Sequence, residues 1–332
     1  MPRLLSILLF WVAFNFFESK NTYALDDILL SEVPPKVLKA IDEAKVRIAA
    51  CCNKYHFDAT FLDHPYKARR DTSLEYQQQI YQIYSDHKNP RSDYYDFEVL
   101  PDGYVISFFN SSNIFTVHKN ETPAPTKSKW QSQHVLDIGN DFLWALNGAM
   151  PKELGQSSIT SSQDRNSARY CPWEWRIYWH RLAEGKYDFD DDDATVNVYE
   201  NEGLRSIHIN FGTRFHGVNF TPITREEALV AAIPNAEKVA HWKPLAGLYG
   251  SEIIDQKPWK AYLMVVKPDH WGSPEVTSIY DHSDPNGRLV WEFWFYTYAS
   301  QDDLIAKRPR HAVAVDIDAQ TKEWLGGNGG SL

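Results

Sequence analysis

Three cysteines in 332 residues are too few for a disulfide framework. Cys51 and Cys52 are neighbours, and adjacent cysteines seldom pair because the bridge strains the peptide between them. Cys171 stands alone, so the only bridge open to the chain runs from Cys51 or Cys52 to Cys171; three buried thiols are the favoured expectation. No C-x-x-C or close Cys/His spacing is present, which argues against a structural zinc site. The sequence also lacks G-x-S-x-G, H-E-x-x-H, a phosphate loop and a dinucleotide fingerprint, so neither a metal nor a cofactor is expected. Positive charge is scarce: 34 Lys and Arg stand against 44 Asp and Glu, a net charge of −10. An acidic chain has no electrostatic pull toward nucleic acid or an anionic membrane, so neither is expected as a partner.

Long apolar runs are missing everywhere except at the start. Arg3 is followed by Leu4–Phe17, interrupted only by Ser6 and Asn15, and a polar stretch then leads to Thr22-Tyr23-Ala24. That is the three-part layout of a secretory signal peptide, with cleavage expected after Ala24. The run is shorter than the about 20 apolar residues that span a bilayer, so no membrane span is expected after the leader is removed. The mature chain, Leu25–Leu332, loses Arg3, Lys20 and Glu18 with the leader and carries −11. A secreted or periplasmic location follows. At 43% hydrophobic residues the chain can build a core, and its length favours two lobes over one.

Pro34–Ile48 has helical spacing, with Val37, Ala40, Ile41, Ala44 and Ile48 on one face. Alternation then suggests strands at Tyr55–Phe61, Tyr95–Val99, Tyr104–Phe109 and Ile114–His118, with Pro101-Asp102-Gly103 as a turn. Glu121–Lys129 reads as a loop, Val135–Leu146 as a helix stopped by Gly148, and Met150–Arg169 as a polar boundary or loop. In the second half, Trp173, Trp175, Ile177 and Trp179 alternate with Glu174, Arg176, Tyr178 and His180. Strands at Thr195–Tyr199 and Leu204–Phe211 flank a hairpin loop. Thr224 and Glu227 form a capping box for a helix Glu226–Ile233, which Pro234 should end. Trp259–Lys267, Leu289–Tyr298 and Arg310–Asp318 complete the strands, and Asn286-Gly287 suits a tight turn. The expected fold is α+β, predominantly antiparallel sheet with a few packed helices. It divides into a lobe at 25–150 and an aromatic-rich lobe at 170–332 with a helix near 225–233.

Several residues could carry chemistry. The run Asp188–Asp193 lacks the glycine and glutamate of a helix–loop–helix calcium site, so it is read as a solvated acidic loop, with a non-standard calcium site as the alternative. Glu174 and Glu292 are the one carboxylate pair with aromatic surroundings; a glycan-cleaving enzyme would need them about 5–9.5 Å apart. Arg176, Tyr178 and His180 share a face and, with Trp271, are candidate ligand-binding residues. His270, His282 and Asp284 lie near Trp271, with spacing that does not specify a metal. Asn110, Asn120 and Asn219 sit in N-glycosylation patterns. In "HAVAVDIDAQTKEWLGG", His311–Gly327, Asp316 and Asp318 are read as turn chemistry that stops a strand whose Val313, Val315 and Ile317 form a buried face.

Two stretches together resemble the PepSY pattern. One is Ile223-Thr224-Arg225-Glu226-Glu227-Ala228-Leu229, a Thr-started helix with "EEAL"; the other is Val315–Leu325, similar to "VDAxTGxVL". Roughly 80 residues separate the two, and the family's glycine is Lys322 here. The resemblance implies a small helix-on-sheet module of the cell envelope with a regulatory or inhibitory role. The first half is similar in layout alone to bacterial lipoprotein carriers, whose curved sheet surrounds a hydrophobic groove. The combined expectation is a non-catalytic binding or envelope-associated protein that uses an aromatic groove or sheet face. Its partner would be a small hydrophobic or sugar ligand, or an envelope protein. A secreted glycan-acting hydrolase using Glu174 and Glu292 is the alternative.

Overall fold

The computed structural model describes residues 27–73, 76, 78–85, 95–110, 127–162, 173–200, 202–241, 252–267 and 286–331. The signal peptide, Cys171, Trp271, His270, His282, Asp284, Asn120 and the strand expected at Ile114–His118 lie outside them.

A two-residue strand β1 (Asp27–Ile28) precedes helix α1 (Pro35–Tyr55). The helix runs seven residues beyond its expected end, because Cys51, Cys52 and Tyr55 prolong the apolar stripe set by Ile41, Ala44 and Ile48. The expected strand at Tyr55–Phe61 is therefore absent. Tyr55 closes the helix, His56 turns the chain in the left-handed region (φ 61°), and Asp58 Oδ1 accepts from the Thr60 amide (2.9 Å) to start a short turn. Strands β2 (Tyr66–Ser73) and β3 (Gln78–Ser85) follow as a hairpin. Then come β4 (Tyr95–Val99) and β5 (Val105–Asn110), joined at the expected Pro101-Asp102-Gly103 turn with Gly103 at φ 89°. Helix α2 (Ser132–Asn147) ends at Gly148, whose amide donates to Trp144 O (2.7 Å).

The polar segment Met150–Arg169, read as a loop, contains strand β6 (Leu154–Ser162), paired with β7 (Glu174–Ala183). Strand β7 keeps the tryptophan alternation, burying Trp175, Ile177 and Trp179. Strands β8 (Tyr187–Tyr199) and β9 (Gly203–Asn210) form the expected hairpin. The acidic run Asp188–Asp193 is thus part of a strand and not a solvated loop. Phe189 and Asp192 point inward, and Asp192 is held by Arg181 and Thr213.

Helix α3 (Arg225–Ala240) begins with the expected capping box: Thr224 Oγ1 accepts from the Glu227 amide (3.2 Å) and Glu227 Oε2 from the Thr224 amide (3.0 Å). It passes through Pro234, which was expected to end it. Ala228, Ala232, Ala236, Val239 and Ala240 continue one buried stripe past the proline, and Asn235 Nδ2 donates to Ala231 O (2.9 Å) in the disturbed turn. Strands β10 (Ile253–Ile254), β11 (Lys260–Val266) and β12 (Arg288–Tyr298), the short helix α4 (Gln301–Ile305), and strands β13 (His311–Asp318) and β14 (Trp324–Ser331) complete the described chain. Asn286 and Gly287 do not make a hairpin turn. Asn286 bridges to Arg214 in parallel, and Gly287 lies so close to Thr213 and Val265 that a Cβ would meet both at 2.6 Å.

The strands form one 14-stranded, mostly antiparallel sheet, in the order β1-β2-β3-β4-β5-β9-β8-β11-β12-β13-β14, with β7 and β6 attached to β8 and β10 to β12. The fold is α+β as expected. Among the described strands one pair is parallel, β8 with β11, and it joins Phe189 to Val265. A large hydrophobic cluster packs α1 and α2 against β2–β5 and β7–β9. A second packs α3 on β12 and β13. The first cluster includes Trp175, Ile177 and Trp179, so it takes in residues on both sides of the 150–169 segment. Gly139 sets the approach of α2 to β7: a Cβ there would lie 3.0 Å from the side chains of Ile177 and Trp179.

The two PepSY-like stretches meet in space. The Ile223 amide donates to Ala319 O (2.8 Å), and Trp291 Nε1 donates to Ile223 O (3.0 Å). Lys322 Nζ reaches Glu227 Oε1 (3.2 Å), tying the terminal turn to the capping box. Lys322, at the position of the family's glycine, adopts the left-handed conformation that glycine favours (φ 67°). The helix-on-sheet arrangement implied by the resemblance is present in α3 and β12–β14.

Candidate functional site

Helices α1 and α2 are antiparallel. Arg47 Nε donates to Ala145 O near the end of α2 (2.8 Å), whereas Lys54 and Tyr55, at the end of α1, both donate to Asp141 Oδ2, earlier in α2 (2.5 Å each). This packing brings the C-terminal end of α1 beside the start of α2. A half-open pocket of about 350 Å³ lies there, lined by Lys54, Tyr55, His56, Phe57, Trp130 and His134.

Each wall has a local cause. The left-handed turn at His56 reverses the chain, and the Phe57 amide donates to Cys52 O (2.8 Å), so Phe57 folds back under the helix end. Its ring stacks on Phe142 (6.2 Å between centroids, 12° between planes) and lies 6.1 Å from those of Tyr55 and Trp130. Gly203 opens the space behind it: a Cβ would stand 2.9 Å from Phe57 Cβ, and the residue has φ 103°. Trp130 is positioned by a buried carboxylate. Glu200, in the β8–β9 turn, accepts from the Lys129 amide (2.8 Å) and the Ser128 hydroxyl, and Ser128 Oγ accepts from the Trp130 amide (3.0 Å). His134, in the first turn of α2, meets Trp130 and Tyr55 edge-on at 5.5 and 6.0 Å.

The electrostatics follow from the Lys54–Asp141–Tyr55 cluster. The hydrogen bond to Asp141 raises Lys54 to about 12, so its ammonium stays charged. Burial pushes the Asp141 carboxyl up, but the bonds from Lys54 and Tyr55 outweigh it and hold the group below its usual range. Burial, followed by Asp141, takes the Tyr55 phenol to about 12. Beneath the cluster Cys51 and Cys52 are free, buried thiols, pushed by burial to about 11 and about 12.

The residues singled out from the sequence lie elsewhere. Arg176, Tyr178 and His180 share the outer face of β7, with Arg176 Nε bonded to Asn197 Oδ1 (3.0 Å) and the Tyr178 and His180 rings 4.6 Å apart. Glu174 starts the same strand. Glu292 is buried in β12, where its Oε1 accepts from Trp294 Nε1 (2.5 Å) and its cross-strand neighbour is Asp316. The register does not bring Glu174 and Glu292 together. Glu174 pairs with Tyr199, ten steps along β8 from Phe189, and Glu292 pairs with Tyr262, three steps along β11 from Val265 in the opposite sense. That is roughly 40 Å of strand at about 3.3 Å per step, against the 5–9.5 Å a glycosidase needs. Asp318 does stop its strand as expected, its Oδ1 accepting from the Gln320 and Thr321 amides (2.8 Å each), but Asp316 is a buried mid-strand residue. Among the described residues no group of three or more His, Cys, Asp or Glu is placed to hold a metal. No helix there is long and apolar enough to cross a membrane.

The pocket was not legible beforehand. The alternation at Tyr55–Phe61 suggests a strand, and nothing in the spacing links 54–57 to 130–134. The one available signal was a lone Trp130 between a polar loop and a helix start.

No family model matches the sequence, and no curated protein does. Among solved structures the chain is similar to the Bacillus megaterium YpeB C-terminal domain, at 11% identity over 87% of this chain and 96% of that one, with a TM-score of 0.39. It is also similar to an uncharacterized protein from Eubacterium rectale, at 8% identity over 90% of this chain and 84% of that one, with a TM-score of 0.43. Both are distant likenesses of shape, and neither bears on the chemistry of the pocket.

Proposed function

We propose that the chain is an exported, non-catalytic binding protein whose small ligand enters the aromatic pocket between α1 and α2. One observation carries the reading: three aromatic side chains and two imidazoles from separate segments converge on a space of about 350 Å³, within the range of small-molecule sites. The leader-like N-terminus supports export, and the α3 module supports a role in the cell envelope. The strand register, which sets Glu174 and Glu292 on distant parts of the sheet, weighs against the competing hydrolase reading.

A thermal-shift screen of small molecules against the wild type and Trp130→Ala tests this. Compounds that stabilise the wild type and not the variant are expected. If every stabiliser acts equally on both proteins, the pocket is not the binding site. If glycan cleavage appears and is abolished by Glu174→Gln or Glu292→Gln, the hydrolase reading replaces this one.

A further inference from the structure

We infer that the pocket takes a planar, ring-bearing anion: a fused or substituted aromatic ring carrying a carboxylate or another acidic group. The inference rests on the binding role proposed above and names its ligand class.

Shape sets the ring. The walls are flat faces and edges of Tyr55, Phe57, Trp130 and His134, with centroid separations of 5.5–6.1 Å between neighbours. Aromatic rings prefer offset-stacked and edge-on partners, which a planar ligand supplies along its whole length. A cavity of about 350 Å³ suits one such molecule.

Side chains set the sign of the charge. Two helix ends meet here, the C-terminal end of α1 and the N-terminal end of α2. Their partial charges are opposite and largely offset each other. That leaves the lining, whose described residues contribute one ammonium group, two imidazoles and no carboxylate. Lys54 bonds both Asp141 and the Tyr55 oxygen and keeps one of its three N–H donors. Each imidazole has at least one N–H in either tautomer. Asp141 is outside the lining, and its Oδ2 already receives Lys54 and Tyr55. The lining is therefore rich in donors, and a matching ligand brings acceptors. A cationic ligand would gain from the ring faces, but among the described lining residues it would find no carboxylate, since Asp141, which offsets the Lys54 charge, already receives Lys54 and Tyr55.

Calorimetric titration of the full mature chain with three probes of one shape decides the matter: naphthalene-2-carboxylate, 2-naphthylmethanol and 2-(aminomethyl)naphthalene. The carboxylate is expected to bind about tenfold tighter than the alcohol, the factor that corresponds to about 1.4 kcal/mol, and the amine weakest. Lys54→Met should bring the carboxylate-to-alcohol affinity ratio close to one. Asp141→Asn, which frees the Lys54 ammonium, should strengthen carboxylate binding; this opposite sign guards against simple damage to the fold. If the amine binds as well as the carboxylate, or if Lys54→Met leaves the carboxylate-to-alcohol ratio unchanged, the anionic assignment is wrong while the pocket reading stands. If none of the three binds at millimolar concentration, the pocket reading itself falls, and this inference with it.

Discussion

At Gly203 a single added carbon would collide with the wall of the pocket. The residue combines φ 103° with a would-be Cβ 2.9 Å from Phe57 Cβ, so both backbone and packing resist substitution. Gly203→Ala is expected to cost about 1–3 kcal/mol and to displace Phe57; urea denaturation together with near-ultraviolet dichroism would register both effects. The paired thiols make a second prediction at this scale. Cys51 and Cys52 are buried and their thiols are pushed up to about 11 and about 12, so the reactive thiolate is scarce at pH 8. Titration of the native protein with a disulfide reagent should leave both unlabelled until denaturant is added. Rapid labelling of either in the folded protein would contradict their placement under the α1–α2 contact.

Among the elements, α3 shows how packing outweighs propensity. Proline inside a helix costs about 3 kcal/mol relative to alanine, yet α3 continues for six residues past Pro234 because Ala236, Val239 and Ala240 are buried. Pro234→Ala should therefore raise stability by about 1 kcal/mol or more, measured as a higher urea midpoint with an unchanged slope. Loss of stability would mean that the bend at Pro234 is itself needed for docking on the sheet. The same tension explains what could be read in advance. The Trp175–Trp179 alternation, the Gly103 and Gly148 stops and the Thr224 capping box are local signals with local causes, and each is found where its residues place it. Strand β2, "YKARRDTS", was invisible because it buries Ala68 alone, and β3, "QQIYQIYS", because its buried Ile80, Tyr81, Ile83 and Ser85 do not keep a strict alternation; both owe their pairing to neighbours. The acidic run in β8 was misread for a related reason: like charges suggest a solvated loop, but Asp192 is neutralised by Arg181, a residue whose approach depends on the β7–β8 register. The pocket was hidden more deeply, since its walls come from a helix end, a segment about 75 residues later and a glycine in a distant hairpin.

Across the whole molecule, Arg181 sits beside the parallel strand pair that joins the two parts of the sheet. Its guanidinium donates to Asp192 Oδ2 and Thr213 O (2.7 Å each) and to Glu153 Oε2 (2.9 Å), and lies over the rings of Phe189 and Phe211 at 4.1 and 5.1 Å. Phe189 in turn carries the parallel link from β8 to β11. Breaking a buried ion pair by removing one partner leaves the other charge uncompensated. Arg181→Met should cost about 3–5 kcal/mol in equilibrium unfolding, and a loss below about 1 kcal/mol would show that water reaches Asp192.

The account as a whole rests on where a ligand sits, and amide chemical-shift mapping during a titration with naphthalene-2-carboxylate locates it directly. The largest changes are predicted at residues 54–57 and 128–134, with smaller ones at Gly203. Changes centred instead on Arg176, Tyr178 and His180, or around Glu292, would place the functional surface on the sheet and contradict the pocket.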